Sequence, residues 1–174
     1  MVASICTEPP ALAIRPAQPG DADALWAILQ PVIRAGETYP LPRDMGRAEA
    51  LEYWLRPEHA AYVAEQEGAV LGTYYLRPNQ SGGGAHVANC GYMTAGEATG
   101  RGIARAMCLH SLAQARARGY RAMQFNFVIS TNHRAVRLWR SCGFTELCRL
   151  PAAFRHPYAG DVDALVMYQV LDPM

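Results

Sequence analysis

The stretch Thr99-Gly100-Arg101-Gly102-Ile103-Ala104 has the composition of an anion cradle. Glycines at 100 and 102 let successive backbone N–H groups converge without Cβ obstruction. The alanine-rich run that follows, to Gly119, reads as a helix whose unpaired N–H donors and positive dipole end face the same point. A pyrophosphate would fit there, although a Gly-x-Gly string alone also suits a flexible start to a helix. Two asparagines form a second chemical feature: Asn89 interrupts the apolar, strand-like segment Val87–Thr94, and Asn126 sits between Phe125 and Phe127 in the run Arg121–Val128. Asparagine is depleted in strands, and a buried amide without partners costs about 1–3 kcal/mol. Such positions point either to a polar pocket or to amides satisfied by neighbouring backbone. Arg155-His156-Pro157-Tyr158 offers a cation that suits a carboxylate, or equally a solvated or subunit-contacting loop. His86 and His133 have no acidic neighbours in sequence and carry no catalytic signature, and Cys142 reads as a small core thiol.

Several elements must position these residues. Leu12–Arg15 reads as a first strand, and Pro19-Gly20-Asp21 opens a helix capped by Asp21, with Leu25, Ile28, Leu29, Val32 and Ile33 along one side. Pro31 should bend or shorten that helix. A proline-punctuated loop, Gly36–Pro42, leads to a second helix over Arg47–Leu55 with Ala50, Leu51 and Trp54 facing inward. Ala61–Glu65 and Val70–Leu76 form a hairpin around Glu67-Gly68, and the glycine-rich Asn79–Gly84 leads into the strand that carries Asn89. The third helix runs from Gly100 to Arg118 with Ile103, Ala106, Met107, Ala113 and Ala117 on one stripe. A strand–helix–strand crossover makes Arg121–Val128 parallel to Val87–Thr94. Asn132 caps the last helix, striped by Ala135, Leu138, Trp139 and Cys142. A hairpin of Phe144–Arg149 with Val162–Val170, across a loop at Pro151–Asp161, closes the sheet.

Composition bounds the partners. A chain of 174 residues, 51% hydrophobic and 18% charged, suits one compact domain. A net charge of +1 with scattered arginines gives no electrostatic support for nucleic acid or a membrane surface. Five cysteines, widely spaced and without a CxxC pair, argue against a disulfide framework or a zinc site. No stretch approaches the roughly 18 apolar residues of a spanning helix and the amino terminus lacks a leader pattern, so a cytoplasmic protein is expected.

Gly102 and Ala104, followed in order by Asn132, Ala135, Leu138 and Gly143-Phe144, resemble the two signatures of the GNAT acetyltransferase superfamily, and the likeness runs from Ile14-Arg15-Pro16 to about Met167. Thr99 stands where that family usually has Gln or Arg, a side-chain contact the backbone cradle does not need. The resemblance implies an α/β (α+β) fold: a mixed, mostly antiparallel sheet of about six to seven strands, splayed between the fourth and fifth and flanked by about four helices. It also implies a single domain over 1–174, with 1–10 as an extension, and acetyl-CoA as co-substrate without a metal. Thr99, Gly100, Arg101, Gly102, Ile103 and Ala104 would then hold the pyrophosphate, and backbone groups of Met93 and Thr94 would meet the pantetheine in the splay. The loop bearing Glu37 and Tyr39 would cover the acceptor, which makes both candidate contacts; a solvated carboxylate and a packing aromatic are the alternatives.

Within the superfamily, Thr73–Asn79, Asn89, Gln124–Val128 and Phe154–Pro157 resemble the fungal azetidine-2-carboxylate acetyltransferases and their bacterial relatives. That likeness implies Asn89 and Asn126 as catalytic and acceptor-binding residues and Asn132 as a coenzyme contact, with Arg155 available to an acceptor carboxylate. The family's usual proton donor to the coenzyme thiolate is a Tyr one residue after the Leu138 position; Trp139 stands there, and an indole has no usable acidity. A thiolate, with an ordinary pKa near 8.5, can leave without full protonation. The expectation is an acetyl-CoA-dependent N-acetyltransferase acting directly on the amine of a small molecule, first a cyclic imino acid or other amino acid. Alternatives are a protein N-terminus, an aminoglycoside- or phosphinothricin-like amine, or a coenzyme-binding sensor without turnover, and a homodimer is left open.

Overall fold

The structure, a computed structural model, describes residues 11–171. Seven strands, β1 (Ala13–Pro16), β2 (Ala60–Gln66), β3 (Ala69–Pro78), β4 (Val87–Thr94), β5 (Ala122–Ile129), β6 (Thr145–His156) and β7 (Gly160–Val170), form one sheet in the order β1-β2-β3-β4-β5-β7-β6. Every neighbouring pair is antiparallel except β4 and β5. Those two are parallel because helix α3 (Ile103–Ala117) returns the chain between them as a crossover. The remaining helices are α1 (Ala22–Ala35), α2 (Arg47–Trp54) and α4 (His133–Ser141). This is the mixed, mostly antiparallel architecture expected from the sequence.

The two-residue period of a strand sorts side chains onto two faces. Adjacent Tyr74 and Tyr75 show it: the Tyr74 hydroxyl meets His110 Nδ1 of α3 at 2.7 Å, whereas the Tyr75 ring packs on Trp54 of α2 with centroids 4.9 Å apart. Helices α1 and α2 thus cover one face, and α3 and α4 the other. Leu25, Leu29 and Ile33 of α1, the indole of Trp54, and Met107 and Met123 opposite are fully buried. Burial of Trp54 is compatible with its polar atom because its Nε1–H donates to Thr73 Oγ1 (2.9 Å), which donates in turn to the Tyr62 carbonyl (2.8 Å).

The site depends on one irregularity. β4 and β5 pair only at Val87↔Ala122 and Ala88↔Met123, then part. Past that point each strand presents unpaired backbone edges to a cleft.

Four local expectations are corrected. Asp21 stands at the first end of α1, but its carboxylate does not cap the helix. It is held by Arg15 (2.8 Å) and accepts from the Gln18 N–H (2.7 Å), and the Arg15 hydrogen bond chiefly keeps its pKa below the usual carboxylate value. α1 runs past Pro31 to Ala35. Both Pro31 and Ala27, whose carbonyl would have received the missing N–H, are exposed, so water replaces the lost bond. The buried stripe of α3 is Ile103, Met107, Cys108, Ser111, Leu112 and Ala115, while Ala113 and Ala117 face solvent. Ser111 can be buried because its hydroxyl donates to the Cys108 carbonyl at 2.7 Å. Finally, Pro151–His156 is strand rather than loop: β6 continues through a bulge between Leu150 and Phe154, with Ala152 at φ 49°, and buries Phe154. The expected loop shrinks to Pro157–Ala159.

Candidate active site

The glycine loop is built as an open donor nest. Gly100 and Gly102 have φ of 83° and 82°, in the left-handed region where a Cβ is disfavoured. Among the described residues, no hydrogen bond occupies the N–H groups of Gly100, Gly102, Ile103 or Ala104. A Cβ at Gly102 would meet nothing within 4 Å. Free donors, the start of a 15-residue helix and open space together fit a phosphate group. Thr99 and Arg101 are exposed, and Arg101 donates to Gln66 Oε1 at 2.6 Å. On α4, Asn132 Oδ1 accepts from the Ala135 N–H at 3.2 Å, the expected cap. Arg134 of the same first turn brings a guanidinium nitrogen to 4.0 Å from a Cβ built on Gly100, so this turn adjoins the glycine loop.

A cavity of about 380 Å³ extends this surface. Asn132, His133, Arg134 and Arg137 line it from α4, Glu37 and Thr38 from the α1–α2 loop, and His156 from the end of β6. No carboxylate among the described residues pairs with Arg134 or Arg137, which leaves the cavity basic. From sequence, His133 carries no catalytic signature and His156 is named only within the Arg155–Tyr158 loop; nothing there linked these two turns. A shallower depression of about 480 Å³, lined by Arg34, Arg43 and Asp44, contains none of the expected site residues.

Both asparagines bond to Gln124 beside the parting of β4 and β5. Asn89, buried, donates its Nδ2–H to the Gln124 carbonyl at 2.9 Å, one step beyond the last paired residues. Its Oδ1 takes no hydrogen bond from the described residues. Asn126 donates to Asn79 Oδ1 (2.7 Å) and accepts from Gln124 Nε2 (2.9 Å). Both readings of these residues therefore apply in part: one end of Asn89 serves the backbone, the other is free. Asn79, buried and bonded to Asn126, was missed as a site residue because a loop-border asparagine is ordinary in sequence.

Aromatic side chains cover this cluster from the α2 side. The Tyr75 ring crosses β4 at Gly91, where a Cβ would lie 2.6 Å from its Cε1 and 2.9 Å from its hydroxyl. His59 stacks on Tyr75 (4.2 Å, 11°), and the Tyr53 hydroxyl is 3.5 Å from that of Tyr75. Burial lowers the His59 pKa and raises that of Tyr75, so a neutral imidazole lies against an un-ionised phenol. The Tyr39 hydroxyl donates to the Tyr92 carbonyl at 2.9 Å, which places Tyr39 over β4, and Glu37 lies on the basic cavity. Met93 is paired with Thr73, and the Ala95 N–H to Leu71 carbonyl bond sets the alternation of this ladder. That alternation spends the backbone of Met93 on β3 and turns Tyr92 and Thr94 toward the cleft.

Trp139 is buried between the strands, 4.9 Å from the Tyr92 ring and 5.1 Å from Phe125. Cys142 is likewise buried, and burial pushes the Cys90 thiol up to about 12. Arg155 points to solvent, 88% exposed and 3.2 Å from Asp161, while its neighbour His156 lines the cavity. No group of three or more potential metal ligands occurs among the described residues, and Cys6 lies outside them.

The profile of the Acetyltransferase (GNAT) family matches residues 25–144, which include the glycine loop, both asparagines and α4. The chain belongs to the GNAT family of acetyltransferases. N-acetyltransferase aca1 of Schizosaccharomyces pombe is 28% identical over 151 residues, 77% of this chain and 72% of its own length. A GCN5-related N-acetyltransferase from Kribbella flavida superposes with a TM-score of 0.89 at 38% identity, over 92% of this chain and 98% of the other. YncA from Salmonella typhimurium, solved with its cofactor acetyl-CoA, shares the fold at a TM-score of 0.83 and 21% identity, over 94% and 96% of the two chains.

Proposed function

We propose that this N-acetyltransferase transfers the acetyl group of acetyl-CoA directly to the amine of a small amino acid, with cyclic imino acids the leading class. The observation that carries the acceptor assignment is the amide cluster at the parting of β4 and β5, where Asn89 keeps an Oδ1 that takes no hydrogen bond from the described residues. Acetyl-CoA supplies an activated acyl thioester. The N–H groups of Gly100, Gly102, Ile103 and Ala104 hold its pyrophosphate, Thr99 and Arg101 border that nest, and Arg134 adds charge beside it. Asn132 and the outward backbone of Tyr92 and Thr94 line the path for the pantetheine. Asn89 and Asn126 orient the amine: an amide oxygen accepts an amine proton and aims the nitrogen lone pair, although it is too weak a base to remove that proton. From the α1–α2 loop, Tyr39 lies over β4 and Glu37 lines the neighbouring basic cavity, and both contact the acceptor. Trp139 excludes water behind the cleft, and the thiolate departs without a phenolic donor.

Thiol release from acetyl-CoA with a panel of acceptors tests this reading. Azetidine-2-carboxylate and proline should give the highest kcat/KM. A preference for a peptide N-terminus, an aminoglycoside or phosphinothricin would overturn the substrate class. Tight acetyl-CoA binding without thiol release for any amine would make the protein a coenzyme sensor.

A further inference from the structure

Two arginines among the described residues are partly withdrawn from solvent, Arg15 and Arg77. Arg15 is clasped by two carboxylates, Asp21 at 2.8 Å and Glu65 at 2.7 Å. Arg77 pairs with no carboxylate among the described residues; its one hydrogen bond goes from Nη1 to the carbonyl of adjacent Pro78 at 3.2 Å. A guanidinium has five donors, and withdrawing one from water without an anion is costly. The site of that cost is informative. Arg77 stands directly across from Asn89 in the β3–β4 register, two residues from Tyr75 on the same face of β3 and two before Asn79, which follows the strand. Its charge acts on both Tyr75 and His59.

We propose that Arg77 binds the carboxylate of the acceptor and so selects amines that carry a carboxylate on the adjacent carbon. This rests on the amide cluster being the acceptor site. A planar guanidinium takes a carboxylate through two parallel N–H···O bonds, which fix its plane as well as its position. In an α-amino or imino acid the nitrogen is attached one carbon away, so a carboxylate on Arg77 holds the amine beside Asn89 Oδ1. An amine without a carboxylate would leave the guanidinium unpaired, which penalises it in the pocket.

The test compares azetidine-2-carboxylate and proline with their carboxamides, in the wild type and in Arg77→Met, with tetrahydrofuran-2-carboxylate as an inhibitor that has the carboxylate but no amine. In the wild type the acids should exceed the amides in kcat/KM. Arg77→Met should lower kcat/KM for the acids about tenfold to a hundredfold more than for the amides and weaken the inhibitor in parallel, with acetyl-CoA affinity as the check on folding. If the wild type prefers acids and Arg77→Met keeps that preference, or loses acids and amides equally, Arg77 is not the carboxylate site although the substrate class stands. If the wild type prefers amines without a carboxylate, the substrate class and the Arg77 assignment both fall.

Discussion

Replacing Gly102 by Asp, with Gly102→Ala as its partner, separates backbone strain from charge at the proposed pyrophosphate nest. Both variants place a Cβ at φ 82°, which costs about 1–2 kcal/mol of folding stability, and that Cβ has nothing within 4 Å. They differ in one negative charge. At about 4 Å from a phosphate, that charge costs about 1 kcal/mol in bulk water and about 4 kcal/mol at an effective dielectric near 20. Gly102 is exposed, so the penalty lies between these limits. At about 1.4 kcal/mol per decade, Gly102→Asp should bind acetyl-CoA about fivefold to about 700-fold more weakly than Gly102→Ala. Isothermal titration calorimetry of the two folded variants measures the ratio, and salt should narrow the gap. Equal affinity of the Asp and Ala variants would refute the nest as the phosphate site.

Other consequences are open to simple measurements. Trp139→Phe should keep substantial activity and Trp139→Tyr should not greatly raise it; a large gain in kcat for the Tyr variant would show that thiolate protonation limits the wild type. Gly91→Ala should destabilise the protein by about 1–3 kcal/mol in urea unfolding, since its Cβ would overlap the Tyr75 ring at 2.6 Å. Burial sets the pKa of both His59 and His110 below the ordinary 6.5. The unfolded chain then binds more protons than the folded one as pH falls through 6.5, so their contribution is complete above that pH and lost below it. Denaturation midpoints should decline from pH 7.5 to pH 5, and His59→Gln should flatten that decline.

The glycine loop and α4 cap were legible because their chemistry is local: a positive-φ pair before a helix and an Asn three residues before the N–H it receives are properties of short strings. The order of elements was legible for the same reason. Arg77, Asn79, Tyr75 and His59 were not, because each acquires meaning only from the β3–β4 register and the packing of α2 over it. The free Oδ1 of Asn89 likewise depends on where β4 leaves β5, a tertiary fact. Pro151–Asp161 was misread because its proline and polar residues suit a turn, whereas pairing with β7 and burial of Phe154 override that local preference.

The central claim is that the coenzyme and the acceptor are held by separate sets of residues, and the kinetics of Asn89→Ala and Asn126→Ala test it most directly. Each variant loses a hydrogen bond to the acceptor worth about 1–3 kcal/mol, so kcat/KM for the acceptor should fall about tenfold or more, with the Kd for acetyl-CoA little changed. Asn89→Asp, which loses the donor held by the Gln124 carbonyl, should also slow turnover. Equal weakening of coenzyme binding and acceptor turnover in all three variants, together with lowered stability, would contradict the account and make the asparagines structural.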